Sequence, residues 1–238
     1  MCFTPAISMT IALVEFVTAI YLILMFRRSK ISKPLASFII VLGIYQFTQF
    51  MLCKSSNPEL WAKLGFITYT WLPALGLHIT LKYTNKKRYI EMIYLIPLIF
   101  TAIAIATKDF ITRSECLKLF VIAKTMMINS NFHEVLMPVY ITYYGGFIVA
   151  SFVILWIYLK KEKNIRKKWL CGLAIAALAV SLIPALILAI IFPELSIQFP
   201  SMYCEFAVLF AILGLIAVYI DEGYLKNKKR YEIKKRHI

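Results

Sequence analysis

Seven residues could do chemistry in an otherwise apolar chain: Glu15, Gln46, Gln49, His133, Glu205, Cys2 and Cys204. Glu15 sits between Val14 and Phe16, with Thr10 and Thr18 nearby. An ionisable group at the centre of a membrane helix costs about 2.5–3.5 kcal/mol on insertion scales, so it calls for a purpose. That purpose is ligand capture, proton exchange, or a hydrogen bond tying one helix to another. Gln46 and Gln49, three residues apart, share one helical face and suit either a polar ligand or a neighbouring helix. Glu205 follows Cys204 at the start of a late apolar segment, as a ligand contact or an interfacial carboxylate. His133 and Glu134 stand at a helix start, where they also suit the N-terminal dipole. Thiolates of Cys2 and Cys204 with the imidazole of His133 would suit zinc or copper; a disulfide or free thiols are the rival readings, and no Cys-x-x-Cys spacing selects among them.

The elements that must position these residues are membrane helices. The 238 residues are 61% hydrophobic with a mean hydropathy of +0.76, against roughly 45–50% apolar in soluble domains. A bilayer core about 30 Å thick needs roughly 20 apolar residues per helix. Seven such segments run approximately over 7–26, 34–53, 61–81, 89–107, 136–159, 169–192 and 201–220. The expected fold is an all-α, seven-helix integral membrane bundle over residues 1–220, followed by a basic cytoplasmic tail at 221–238. The first segment has no basic stretch before it and no small-residue cleavage site, so it reads as a retained helix rather than a signal peptide.

Charge gives the orientation. The chain carries 27 Lys and Arg against 12 Asp and Glu, a formal +15. Twenty-one of the 27 basic residues fall after the first, third and fifth segments and in the tail; only Lys54, Lys63, Lys108, Arg113, Lys118 and Lys124 fall on the other side. The positive-inside rule then puts the N-terminus outside and the C-terminus in the cytoplasm of a cell-membrane protein. Basic residues dealt into short loops do not form the continuous surface that nucleic acid requires, so the bilayer is the expected partner and nucleic acid is not. In this topology Glu15, Gln46, Gln49, His133 and Glu205 all lie in the outer half of the membrane or just above it. They suggest a polar crevice open to the outside.

The longest connection, 108–135, lies on the outer side. Its stretch from Glu115 to Ile128 is too short and too charged to span, and is expected to lie in the interface as an amphipathic helix or to cap the bundle. The last segment lacks the mid-helix lysine of a retinal protein, and the receptor signatures Asp/Glu-Arg-Tyr and Asn-Pro-x-x-Tyr are missing. No P-loop, Gly-x-Ser-x-Gly, His-Glu-x-x-His or Rossmann glycines occur, so no enzyme and no cofactor are expected.

Two stretches carry resemblances. Met1-Cys2-Phe3-Thr4-Pro5, with Ile44-Tyr45-Gln46-Phe47-Thr48-Gln49 and Tyr203-Cys204, resembles an uncharacterised family of prokaryotic multi-pass membrane proteins that begins Met-Cys-Phe-Ser. That family has a Glu after its glutamines, where Gln49 stands here; the resemblance implies a fold and no activity. Trp71-Leu72-Pro73, then Leu77-His78-Ile79-Thr80-Leu81-Lys82-Tyr83-Thr84 and the basic cluster, is similar to the third span and loop of the seven-helix sensor region at the N-terminus of some histidine kinases. That resemblance implies ligand sensing coupled to a kinase. The 18 residues after Ile220 are too few for one, so a separate signalling partner is expected.

The functional expectation is a small-ligand sensor or binding module built around Glu15, Gln46, Gln49 and Glu205. The alternatives are a small proton-coupled transporter in which Glu15 titrates, opposed by the absence of an internal repeat, and an accessory subunit of a membrane complex.

Overall fold

The computed structural model describes residues 5–27, 29–86, 90–116, 121–128, 133–191 and 208–223. It is a helical bundle: α1 (Pro5–Met25), α2 (Ser32–Lys54), α3 (Pro58–Thr70), α4 (Leu72–Tyr83), α5 (Leu95–Ala106), α6 (His133–Lys161) and α7 (Ile165–Ile191), with a last helix at 208–223. Among the described residues four stretches are long and apolar enough to cross a membrane: Ala6–Met25, Ser32–Lys54, Pro58–Tyr83 and Val135–Lys161; Met92–Ala106 is apolar but shorter.

The 21 residues of α1, at about 1.5 Å per residue, reach some 30 Å, the thickness of a hydrocarbon core. α1 and α2 pack antiparallel. At the turn between them Ser32 Oγ donates to the Leu22 carbonyl at 2.8 Å. Further along, a Cβ on Gly43 would stand 2.9 Å from Phe16 Cε1, so only glycine lets α1 approach α2 this closely. α3 starts on a cap, the Asn57 side chain accepting from the Leu60 N–H at 3.2 Å, with Pro58 pre-set for the first turn.

The third apolar segment is two helices rather than one. Pro73 has no N–H to offer the carbonyl of Tyr69, and its ring crowds that carbonyl. The chain therefore ends α3 at Thr70 and resumes α4 at Leu72 across Trp71, whose N–H turns back to Thr68 O at 3.2 Å. α4 stops at Asn85, which takes a left-handed conformation (φ 58°) while the Lys86 N–H closes on Leu81 O at 2.8 Å, a C-terminal cap that asparagine can fill.

The connection between α5 and α6 departs from an all-α reading. Its core is an antiparallel hairpin, β1 (Ile111–Cys116) with β2 (Val121–Thr125), not an amphipathic helix. β-branched residues suit a pleated pair, and an exposed Arg113–Glu115 ion pair, 2.7 Å, sits on β1. The capping expectation holds better. Phe110, Ile111 and Met127, at the base of the hairpin, are buried in one apolar cluster with Leu52, Phe66 and Phe100. A disulfide between Cys53, at the end of α2, and Cys116 ties the hairpin down. A second apolar cluster, Ala19, Leu22, Leu35, Ile39, Ala211 and Val218, joins α1 and α2 to the last helix at the other end.

Candidate functional site

Glu15 and Gln46 have no exposed surface, and Gln49 only 6%. Ala12, Glu15, Ala19 and Leu22 form the buried face of α1, at the helical spacing of a single stripe. With Phe16 opposite Gly43, the antiparallel register puts Glu15 within about one turn of Gln46. Gln49 lies a turn farther out, where a Cβ on Gly65 of α3 would stand 3.6 Å from Gln49 Nε2 and 3.0 Å from Thr48 Oγ1. Three of the four residues predicted to bind ligand thus lie in one buried seam between α1, α2 and α3. Glu205 lies outside the described residues.

The seam leads to a group of tyrosines. Tyr45, buried on α2, meets the ring of Tyr69 edge-on at 5.8 Å. Tyr69 also meets the ring of Tyr140 edge-on at 6.4 Å, and Tyr140 Oη lies 3.1 Å from Thr70 Oγ1. Thr70 donates its only hydroxyl proton to the Phe66 carbonyl at 2.8 Å. A hydroxyl has one proton to give, so the donors run in one direction: Tyr140 to Thr70, Thr70 to Phe66.

This chain ends at the break between α3 and α4. Tyr143 donates its hydroxyl to the Thr70 carbonyl at 2.6 Å, beside the backbone of Ala74. In an unbroken helix Thr70 O and Ala74 N–H would bond each other. Here a side chain from α6 stands at the gap and satisfies the Thr70 carbonyl. Trp71, in the break, donates its indole N–H to Thr101 Oγ1 of α5 at 3.0 Å. The joint is therefore clasped from two sides.

These tyrosines were not among the residues singled out in the sequence. The available signal was Tyr140, Tyr143 and Tyr144 at i, i+3 and i+4, one face of a helix, together with Pro73 in a span. Which residues that face would meet was not readable.

Below the break lies a cavity of about 170 Å³. α4 contributes Pro73, Gly76 and Thr80, α6 Tyr144 and Ser151, and the last helix Phe210 and Gly214. None of Glu15, Gln46 and Gln49 borders it. The buried polar seam and the open space are separate, joined through the α3–α4 break.

Cys2 and Cys204 also lie outside the described residues, and of His133 only its place as the first residue of α6 is described. The disulfide seen, Cys53–Cys116, uses neither Cys2 nor Cys204. Among the described residues no three His, Cys, Asp or Glu side chains gather to hold a metal ion. His78 is engaged otherwise, its Nδ1 hydrogen-bonded to the Tyr94 hydroxyl.

At the opposite end of the bundle Ser29 donates to Asp221 Oδ2 of the last helix at 2.5 Å, and Tyr83 donates to the Lys167 carbonyl at 3.0 Å. These contacts link the loop after α1 to the last helix, and α4 to α7.

No curated protein and no solved structure matches the chain. The family described as the N-terminal 7TM region of histidine kinase matches residues 7–220. The match supports the resemblance carried by Trp71 to Thr84, the residues that form the second half of the broken span, and it runs from α1 into the last helix. The protein is a multi-pass membrane protein, and its chain belongs to the family of the N-terminal 7TM region of histidine kinases.

Proposed function

We propose that the protein is the non-catalytic sensing module of a membrane signalling system, with seven spans, its N-terminus outside the cell membrane and its C-terminus in the cytoplasm. The orientation is supported by the two ends of the bundle. Lys33, Lys82, Lys160, Lys161 and Lys167 stand at one end, and the Cys53–Cys116 disulfide, which persists in oxidising surroundings, at the other.

The observation that carries the sensing reading is the Tyr143 hydroxyl of α6 bonded to Thr70 O at the α3–α4 break. A sensor needs an element with two arrangements that a ligand can bias. A helix whose missing hydrogen bond is supplied by another helix is such an element, because moving α6 opens or closes the joint. Glu15, Gln46 and Gln49 reach that joint through Tyr45 and Tyr69, and a polar ligand at the seam, with Glu205 as a further contact, shifts it. The last helix passes the change to a cytoplasmic partner of the kinase class.

The test is a fusion of the chain's C-terminal end to the cytoplasmic part of a histidine kinase, reconstituted in vesicles. Tyr143→Phe changes the autophosphorylation rate; equal rates in wild type and variant overturn the reading. A second reading, a proton-coupled carrier, is favoured by a discontinuous helix close to a buried carboxylate. Chain-dependent proton uptake into the same vesicles, abolished by Glu15→Gln, would establish it instead. A reporter fused to the C-terminus that came out external would overturn the orientation.

A further inference from the structure

The cavity has no role in the polar seam, and its lining specifies what it would hold. We propose that it is a binding site for a small uncharged lipophile, either a ring of about benzene size or a short aliphatic segment, carrying at most a hydroxyl or carbonyl. The inference takes its signalling consequence from the sensor reading above; the site itself does not depend on that reading.

Size comes first. A dry cavity of about 150 Å³ lined by Leu, Ile and Phe binds benzene, and this one measures about 170 Å³. Helices normally close over such spaces, because a void forfeits the contacts of every side chain around it. Here five helices leave it open.

Chemistry comes second. Among the described residues none that lines the cavity is charged, so neither an anion nor a cation would be compensated by them. Thr80, Ser151 and Tyr144 bring hydroxyls to a wall otherwise apolar apart from Tyr83, which suits one polar atom on an apolar body. Tyr83 donates its own hydroxyl to Lys167 O.

Placement comes third. Pro73, at the break, is part of one wall, and Tyr144 follows Tyr143 directly. The facing wall is the last helix, with Phe210, Leu213 and Gly214. A Cβ on Gly214 would stand 3.0 Å from Leu35 Cδ2, so this helix is held tightly against α2 and a ligand that widens the cavity must displace one against the other. Occupancy is thereby coupled to the α3–α4 joint on one side and to the Ser29–Asp221 contact, seven residues beyond Gly214, on the other.

One chemistry has two sources, a free lipophile or the tail of a bilayer lipid. The experiment uses the full chain in phosphatidylcholine nanodiscs with two photoprobes, a diazirine-bearing octanol and a phospholipid with a diazirine in its acyl chain, and maps the labels by peptide mass spectrometry. The octanol probe labels α4, α6 or last-helix residues facing the cavity, saturably, and excess octanol competes. Ala174→Phe, which fills the space, reduces this labelling by about tenfold. Gly76→Ala, whose new Cβ would meet only Phe38 at 3.9 Å, keeps the fold and reduces it less. Val149→Phe, on the exposed face of α6, leaves it unchanged. Labelling of the same residues from the phospholipid, with no competition by octanol, identifies a lipid tail as the occupant. Unsaturable labelling confined to outward residues such as Val149 and Trp156 in both arms overturns the proposal, as does cavity labelling indifferent to both filling variants. Saturable cavity labelling with no effect of octanol on the fused kinase upholds the site and ends its signalling role.

Discussion

The hydroxyl of Tyr143 donates to the carbonyl of Thr70 across 73 residues of sequence, at 2.6 Å. One side-chain atom thus closes a gap that Pro73 helped to open. Tyr143→Phe keeps the ring and leaves the buried Thr70 carbonyl without this partner. The expected loss is about 1–3 kcal/mol, read as a lowered midpoint of unfolding in mixed detergent. Thr70→Val, which removes the hydroxyl that Tyr140 reaches but keeps the carbonyl, destabilises less.

The Cys53–Cys116 disulfide closes a loop of 63 residues. In the chain-entropy account a loop of this length contributes about 4 kcal/mol, and Cys116→Ser releases the hairpin from α2. Non-reducing electrophoresis distinguishes the two forms, and a maleimide modifies Cys53 only after reduction or in the variant. Hydrogen exchange rises over Phe110 and Met127 if the disulfide holds the cap in place; unchanged protection there would contradict this.

Gly43 lets Phe16 lie against α2. Gly43→Leu forces the ring and α1 outward, at a cost of about 1–3 kcal/mol, and it disturbs the seam holding Glu15. Gly145→Leu is the matched control, since a Cβ at Gly145 meets nothing within 4 Å. Comparable loss of stability in both variants would refute the close-approach argument.

Glu162 caps the loop between α6 and α7. Its carboxylate accepts from the N–H groups of Asn164 at 3.0 Å and Lys163 at 3.1 Å and from the Tyr158 hydroxyl at 2.7 Å, with Lys167 Nζ at 3.4 Å. The Asn164 N–H, then the Tyr158 hydroxyl, hold its carboxyl below the ordinary carboxylate range, at about 2. A lowered value in the folded state means that the contribution is present above the ordinary carboxylate pKa and is lost as pH falls through about 2. The wild type therefore loses part of its stability across that interval, and Glu162→Gln loses it at every pH and flattens the acid limb. Asn164→Ala removes the next cap, whose Oδ1 accepts from the Arg166 N–H at 3.0 Å, and costs about 1 kcal/mol independent of pH.

Much of the fold was legible because membrane helices obey a simple rule of length and apolarity. α1, α2, α6 and α7 overlap the segments read at 7–26, 34–53, 136–159 and 169–192. Pro73 marked the third span as irregular, yet a proline does not say whether a helix kinks, breaks or is repaired. Of the two expectations for Glu115 to Ile128, an amphipathic helix or a cap, the helix fails because the stretch carries no clear period and because pairing of β1 with β2 is a contact between separate stretches.

The sequence by itself determined that the chain lives in a membrane, and the uneven placement of its basic residues set an expected orientation. It also named Glu15, Gln46 and Gln49, because polar groups are costly in a hydrocarbon environment wherever they stand. Tertiary structure decided their setting. It buried them between helices instead of opening them to the outside, set Tyr143 into the broken third span, paired Cys53 with Cys116, and left a separate apolar cavity among five helices. Burial cost belongs to a residue and can be read along the chain. Contacts such as Tyr143 with Thr70 belong to pairs far apart in sequence, fixed only when the helices have packed.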